Sequence, residues 1–100
     1  MSSIIQLRAA LKHHASPAKA KVLATFFKTG PGQYAEGDRF LGITVPDQRM
    51  IACRSAGLTL KDIAVLLQSP VHEERLTALL VLVGQFQRAD ESGRRRITGF

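Results

Sequence analysis

The residues with chemical capability are few, and most sit at spacings that defeat a catalytic reading. His72-Glu73-Glu74-Arg75-Leu76 starts like the helical zinc-protease motif, but Leu76 stands where the second histidine of the chelate belongs. His13 and His14 are adjacent, and neighbours on a helix point to different sides, so they do not readily chelate one ion. Gly30-Pro31-Gly32 lacks the Lys-Ser/Thr of a phosphate loop. Glu36 and Asp38, two apart in a loop, could pair as carboxylates but read more simply as solvated or capping. Glu73 and Glu74 fall in the first turn of a helix, where they offset its dipole. The single Cys53 can form no internal disulfide, and it reads as a small, buried or half-buried thiol with no histidine base nearby in sequence. Neither a metal nor a cofactor is expected.

The basic residues carry more information. Fourteen Lys and Arg against eight Asp and Glu give a net charge of +6 and a pI near 10.3, which suits a polyanionic partner, most often nucleic acid. The excess is spread along the chain: seven basic against three acidic residues in positions 1–50, seven against five in the remainder. Arg94-Arg95-Arg96 is the one dense cluster, equally readable as a solvated helix face or a phosphate site. Lys21 and Lys28, seven apart, share a helix face and could meet successive phosphates; solubility alone would place them there too. Phe26 and Phe27 read as core. Tyr34, in a glycine-rich stretch, is the aromatic without an obvious core role, and it either bonds into its loop or reaches a ligand.

The elements that must position these residues read as helices almost throughout. Ser3 to His14 carries Ile4, Leu7 and Leu11 at helical spacing, with Arg8 and Lys12 on another side. Ser16-Pro17 opens a second helix, with Val22, Leu23, Phe26 and Phe27 as its apolar stripe and Gly30 as its stop. Thr29 to Thr44 reads as a long loop, a length that tends to be functional. Pro46 starts a third helix that ends at Gly57. Thr59 and Asp62 form a capping box for a fourth, with Leu58 and Ile63 as its hydrophobic staple and Leu60, Ile63, Ala64 and Leu67 as its apolar face. Ser69-Pro70 repeats the Ser-Pro opening and begins the longest helix, to about Gln87, with Leu76, Leu79, Leu80, Val83 and Phe86 as core, widened by Val81 and Leu82. Asp90 caps a sixth helix holding Ile97. The expectation is therefore an all-α fold of about six helices, stacked as antiparallel hairpins in the manner of an α-solenoid, within a single domain.

Composition agrees with a folded, soluble, cytoplasmic chain. Apolar residues make up 45% and charged residues 22%, which excludes a disordered polyelectrolyte. The longest apolar run, Ala78 to Val83, is far short of the ~20 residues that span a bilayer. The start, Met1 to Arg8, has no signal-peptide h-region.

Two segments resemble a known family. Gln33-Tyr34-Ala35-Glu36-Gly37-Asp38-Arg39-Phe40-Leu41-Gly42-Ile43, followed by Pro46 and Arg49, is similar to the N-terminal signature of the DNA alkylation repair family of AlkD-like alkylpurine glycosylases. Ser69-Pro70-Val71-His72-Glu73-Glu74-Arg75-Leu76 is similar to a second stretch of that family, and the likeness covers about residues 16 to 97. The resemblance implies HEAT-like helical repeats whose basic face grips duplex DNA, preferably alkylated, and hydrolysis of the N-glycosidic bond of cationic N3- or N7-alkylated purines. It directs an aromatic of the second helix and the residue after Gly-Ile towards DNA, here Phe26 and Thr44, and Arg49 matches the motif. With Lys21, Lys28 and Tyr34 these make the expected DNA-binding set. The family's catalytic carboxylate lies in an Asn-Asn-Trp-Asp-like stretch that this tryptophan-free chain does not contain, so no catalytic residue carries over.

The leading expectation is an N-terminal portion of such a glycosylase, inactive alone, with scaffold and phosphate contacts here and the chemistry past Phe100. A fragment of that kind would expose apolar surface on its fifth and sixth helices and tend to self-associate. Two alternatives stand beside it: a non-catalytic DNA-binding relative, and a helical-repeat scaffold for proteins.

Overall fold

The computed structural model describes residues 3–26, 39–89 and 91–98, and at Phe26, Glu91, Ser92, Arg94 and Arg95 the backbone alone. The chain is all-α, with six helices among the described residues: α1 (Ile4–His13), α2 (Pro17–Phe26), α3 (Val45–Arg54), α4 (Leu60–Leu67), α5 (His72–Arg88) and α6 (Glu91–Thr98). Four of them begin where a hydroxyl three residues ahead can accept an otherwise orphaned N–H. The Ser3, Ser16, Thr44 and Thr59 hydroxyls accept from the amides of Gln6 (3.2 Å), Lys19 (3.4 Å), Asp47 (3.3 Å) and Asp62 (3.1 Å). The staple residues Leu58 and Ile63 both belong to the core.

Ser69-Pro70 does not open α5. The Ser69 hydroxyl accepts from the amide of Val71 at 3.0 Å, and α5 starts two residues later than Pro70 with no side-chain cap. The reason lies across the chain. Arg39 donates its amide to the carbonyl of Pro70 (2.9 Å) and accepts the amide of His72 (2.8 Å), a short parallel bridge that keeps Val71 extended. The Arg75 guanidinium fastens the same turn through the carbonyl of Ser69 at 2.8 Å.

Helix α5 is the centre of the packing, lying against α3, α4, α1 and α6. Its buried face corrects the sequence reading. Glu73, Glu74, Thr77, Ala78 and Val81 are buried, whereas Leu79 and Val83 are 47% and 51% exposed. At ~3.6 residues per turn the two sets lie on nearly opposite sides of the helix. The polar-and-small side wins because its polar groups find partners inside: Glu73 among the amides of residues 41–43 and Thr77 on Gln48. Leu7, Leu11, Ile43, Ile51, Leu58, Ile63, Leu66 and Val81 make up the bulk of the core. Two further expectations fail by exposure. Val22, expected in the α2 stripe, is 68% exposed, and Cys53 lies at the surface. Phe27, Gly30, the body of the 29–44 loop and Asp90 lie outside the described residues.

Candidate nucleic-acid interface

The geometry of the basic surface is set by one buried carboxylate. Glu73, with no exposed surface, projects from the first turn of α5 to the loop before α3 and accepts the amides of Leu41 (3.0 Å), Gly42 (2.9 Å) and Ile43 (3.4 Å). An anion buried in this way is tolerable because its lone pairs are filled by N–H donors. Gln48 continues the network: its amide donates to the carbonyl of Ile43 at 3.0 Å, and its oxygen accepts from the Thr77 hydroxyl at 3.4 Å. The carbonyls of Leu41 and Gly42 in turn accept the amide of Ser16, at 2.9 and 3.1 Å. The loop thus ties the start of α2 and the start of α3 to α5.

Only glycine fits at the middle of that clasp. Gly42 has φ +79°, and a Cβ there would stand 2.1 Å from the carbonyl oxygen of Ser16 and 2.6 Å from the amide nitrogen of Ala20. The left-handed backbone and the close approach of α2 exclude any side chain for separate reasons.

The clasp leaves a hollow of about 480 Å³ between α2 and the start of α3, lined by Ala18, Lys19, Val22 and Leu23 on one side and by residues 42–45 on the other. Thr44 therefore sits at the surface of a groove, while its hydroxyl is engaged in capping α3. Arg49 is exposed one turn beyond Val45, and Val45, Arg49 and Cys53 share the outward face of α3. Lys21 is exposed but does not line the groove; Lys19, absent from the expected set, does. Lys28, Tyr34 and the side chain of Phe26 lie outside the described residues.

Charge is segregated across this surface. Among the described carboxylates, Glu73 is held by amides, and Glu74 is 8% exposed and ion-paired to Arg8 at 3.1 Å. Asp47 and Asp62 stand in the first turns of α3 and α4, Asp47 with His14 Nδ1 at 3.7 Å. Lys12, Lys19, Lys21, Arg49 and Lys61 are exposed and have no carboxylate partner among the described residues. An ordinary surface interleaves both signs; among the described residues the carboxylates are turned inwards or placed at helix starts, and these five cations face water.

No described group has the arrangement of a hydrolytic or metal centre. Among the described residues no three of His, Cys, Asp and Glu gather where an ion could sit, and no helix is long and apolar enough to cross a membrane. Sequence reading missed the role of Glu73, because an acid in the first turn of a helix has a sufficient local explanation. The available signal was Gly42, whose demand for left-handed backbone marks a place where amides converge.

No curated protein and no solved structure matches the chain. A family whose description is DNA alkylation repair enzyme does match, over residues 7–98, which takes in the clasp, the groove and all of α3 to α6. With the helical fold and the outward-facing cations already established, that match over most of its length makes this chain a member of the DNA alkylation repair enzyme family, with a role in DNA repair.

Proposed function

We propose that these 100 residues are the duplex-gripping part of a glycosylase that removes cationic N3- or N7-alkylated purines from DNA, with the catalytic carboxylate outside the sequence given. The observation that carries the reading is the segregation of charge: exposed Lys19 lines the α2–α3 groove and exposed Arg49 follows one turn beyond Val45, neither with a carboxylate partner among the described residues, while the described carboxylates are buried or committed to helix starts. Such a surface attracts a polyanion by counterion release. A cationic alkylated purine is already a good leaving group, so the chemistry asks mainly for a carboxylate near the developing oxocarbenium sugar. Glu73 cannot serve, because its oxygens are buried and occupied. Phosphate contacts are assigned to Lys19, Lys21 and Arg49, with Thr44 lining the groove; Phe26 stays in the proposed set through the family resemblance, Lys28 through its helical spacing from Lys21, and Tyr34 through its place in the glycine-rich stretch.

The test is a titration of an alkylated and an unmodified 20-base-pair duplex with the 100-residue chain across a range of salt, alongside an assay for released 7-methylguanine. We expect weak binding of both duplexes that falls steeply with salt, and no base release. Salt-independent or absent binding overturns the DNA reading, and base release overturns the placement of the catalytic group.

A further inference from the structure

We infer that a second hollow, between α3 and α5, is a phosphate-binding site held by Arg49 and Arg88. It has a volume of about 270 Å³, and its walls include Arg49 and Cys53 from α3 and Val83, Gly84, Gln87 and Arg88 from α5. Two exposed arginines from different helices line it, none of its described lining residues is acidic, and neither arginine has a carboxylate partner among the described residues. Like charges gathered in one concavity repel unless an anion lies between them, and the planar fork of arginine matches the oxygens of a phosphate group. Gln87 adds a neutral amide to the same rim.

Gly84 is the second observation. Glycine is the poorest residue after proline for a helix interior, yet it stands inside the 17-residue α5. A Cβ there would lie 3.3 and 3.4 Å from Nη2 and Nη1 of Arg88, so the guanidinium folds back one turn over the position that glycine leaves bare. The missing side chain gives Arg88 its place at the hollow.

The chemistry recognised is a phosphate group, and two sources can present it: the phosphodiester of a DNA backbone or the phosphate of a free nucleotide. For the first source the inference rests on the DNA reading above, since Arg49 follows Val45 of the groove along the outward face of α3 and a strand crossing the groove meets it next.

The experiment compares the 100-residue chain with Arg49→Gln, Arg88→Gln, the double variant and a Lys61→Gln control, each checked for an unchanged thermal melt. Duplex affinity is measured across salt, and adenosine monophosphate is titrated while the arginine Nε–Hε resonances are followed. If the backbone is the source, each arginine variant weakens the duplex about tenfold and lowers the slope of log K against log salt by about 0.9, while Lys61→Gln changes neither. If a free nucleotide is the source, duplex binding is unchanged in the variants and the Arg49 and Arg88 resonances shift on titration. Unchanged duplex binding together with silent resonances overturns the site; in that case a Lys19→Gln variant that still weakens the duplex leaves the DNA reading intact. Should the unaltered chain fail to bind duplex at all, the DNA reading falls and the nucleotide titration alone decides this one.

Discussion

Glu73 meets its charge with amides of Leu41, Gly42 and Ile43, so removing its carboxylate strands three N–H groups in the interior. Glu73→Ala is expected to cost about 3 kcal/mol in urea unfolding, the scale of a buried charged network broken on one side. Glu73→Gln places an NH₂ against amide donors and should be intermediate. At Gly42 the neighbours are backbone atoms that cannot step aside, so Gly42→Ala should exceed about 3 kcal/mol or prevent folding, read as loss of the cooperative melt. Gly84→Ala should go the other way. It relieves a glycine in a helix interior for a gain of about 0.5–1 kcal/mol in stability, while nudging Arg88 off the α3–α5 hollow and weakening whatever anion sits there. Stability and affinity moving in opposite directions in one variant would separate that glycine's functional role from a merely structural one.

At the level of elements, the helix starts at Ser16 and Thr59 were legible because a cap is a local bond between near neighbours, while the caps at Ser3 and Thr44 went unread although their helices were placed within a residue or so. The same Ser-Pro logic failed at Ser69, where the deciding partner, Arg39, is thirty residues away. Periodicity likewise misjudged α5. Counting Leu79 and Val83 as core assumes that apolar residues win the interior over polar ones, but Glu73 and Thr77 have bonding partners inside, while Leu80 and Val81 pack in the core as expected. The two faces make a direct comparison: Val81→Ala should cost about 2 kcal/mol and Leu79→Ala less than about 1 kcal/mol, measured by chemical unfolding. Of the proposed site, Thr44 and Arg49 were named through the family motif. Lys19 and Arg88 were not, because a lysine or arginine on a helix has no local feature that tells which hollow it borders.

Over the whole molecule, charge does what no single contact shows. A net +6 is legible in composition, but its arrangement is not: the structure turns the described carboxylates inwards or onto helix starts and leaves cations of α1, α2, α3 and α4 facing water. A Lys19→Gln/Arg49→Gln double variant should melt like the unaltered chain, yet show a salt slope for duplex binding shallower by about 1.8, one counterion contact for each charge removed. The clasp at Gly42 has a further consequence in time. Amides between helices ordinarily trade their protons with water quickly, but those of Leu41 and Gly42 are bonded to a carboxylate carried by a helix more than thirty residues further along the chain. Their protons can leave only when α5 lifts away, so in heavy water these two loop amides should exchange as slowly as the interior of α5 itself, and report its undocking from a position outside any helix.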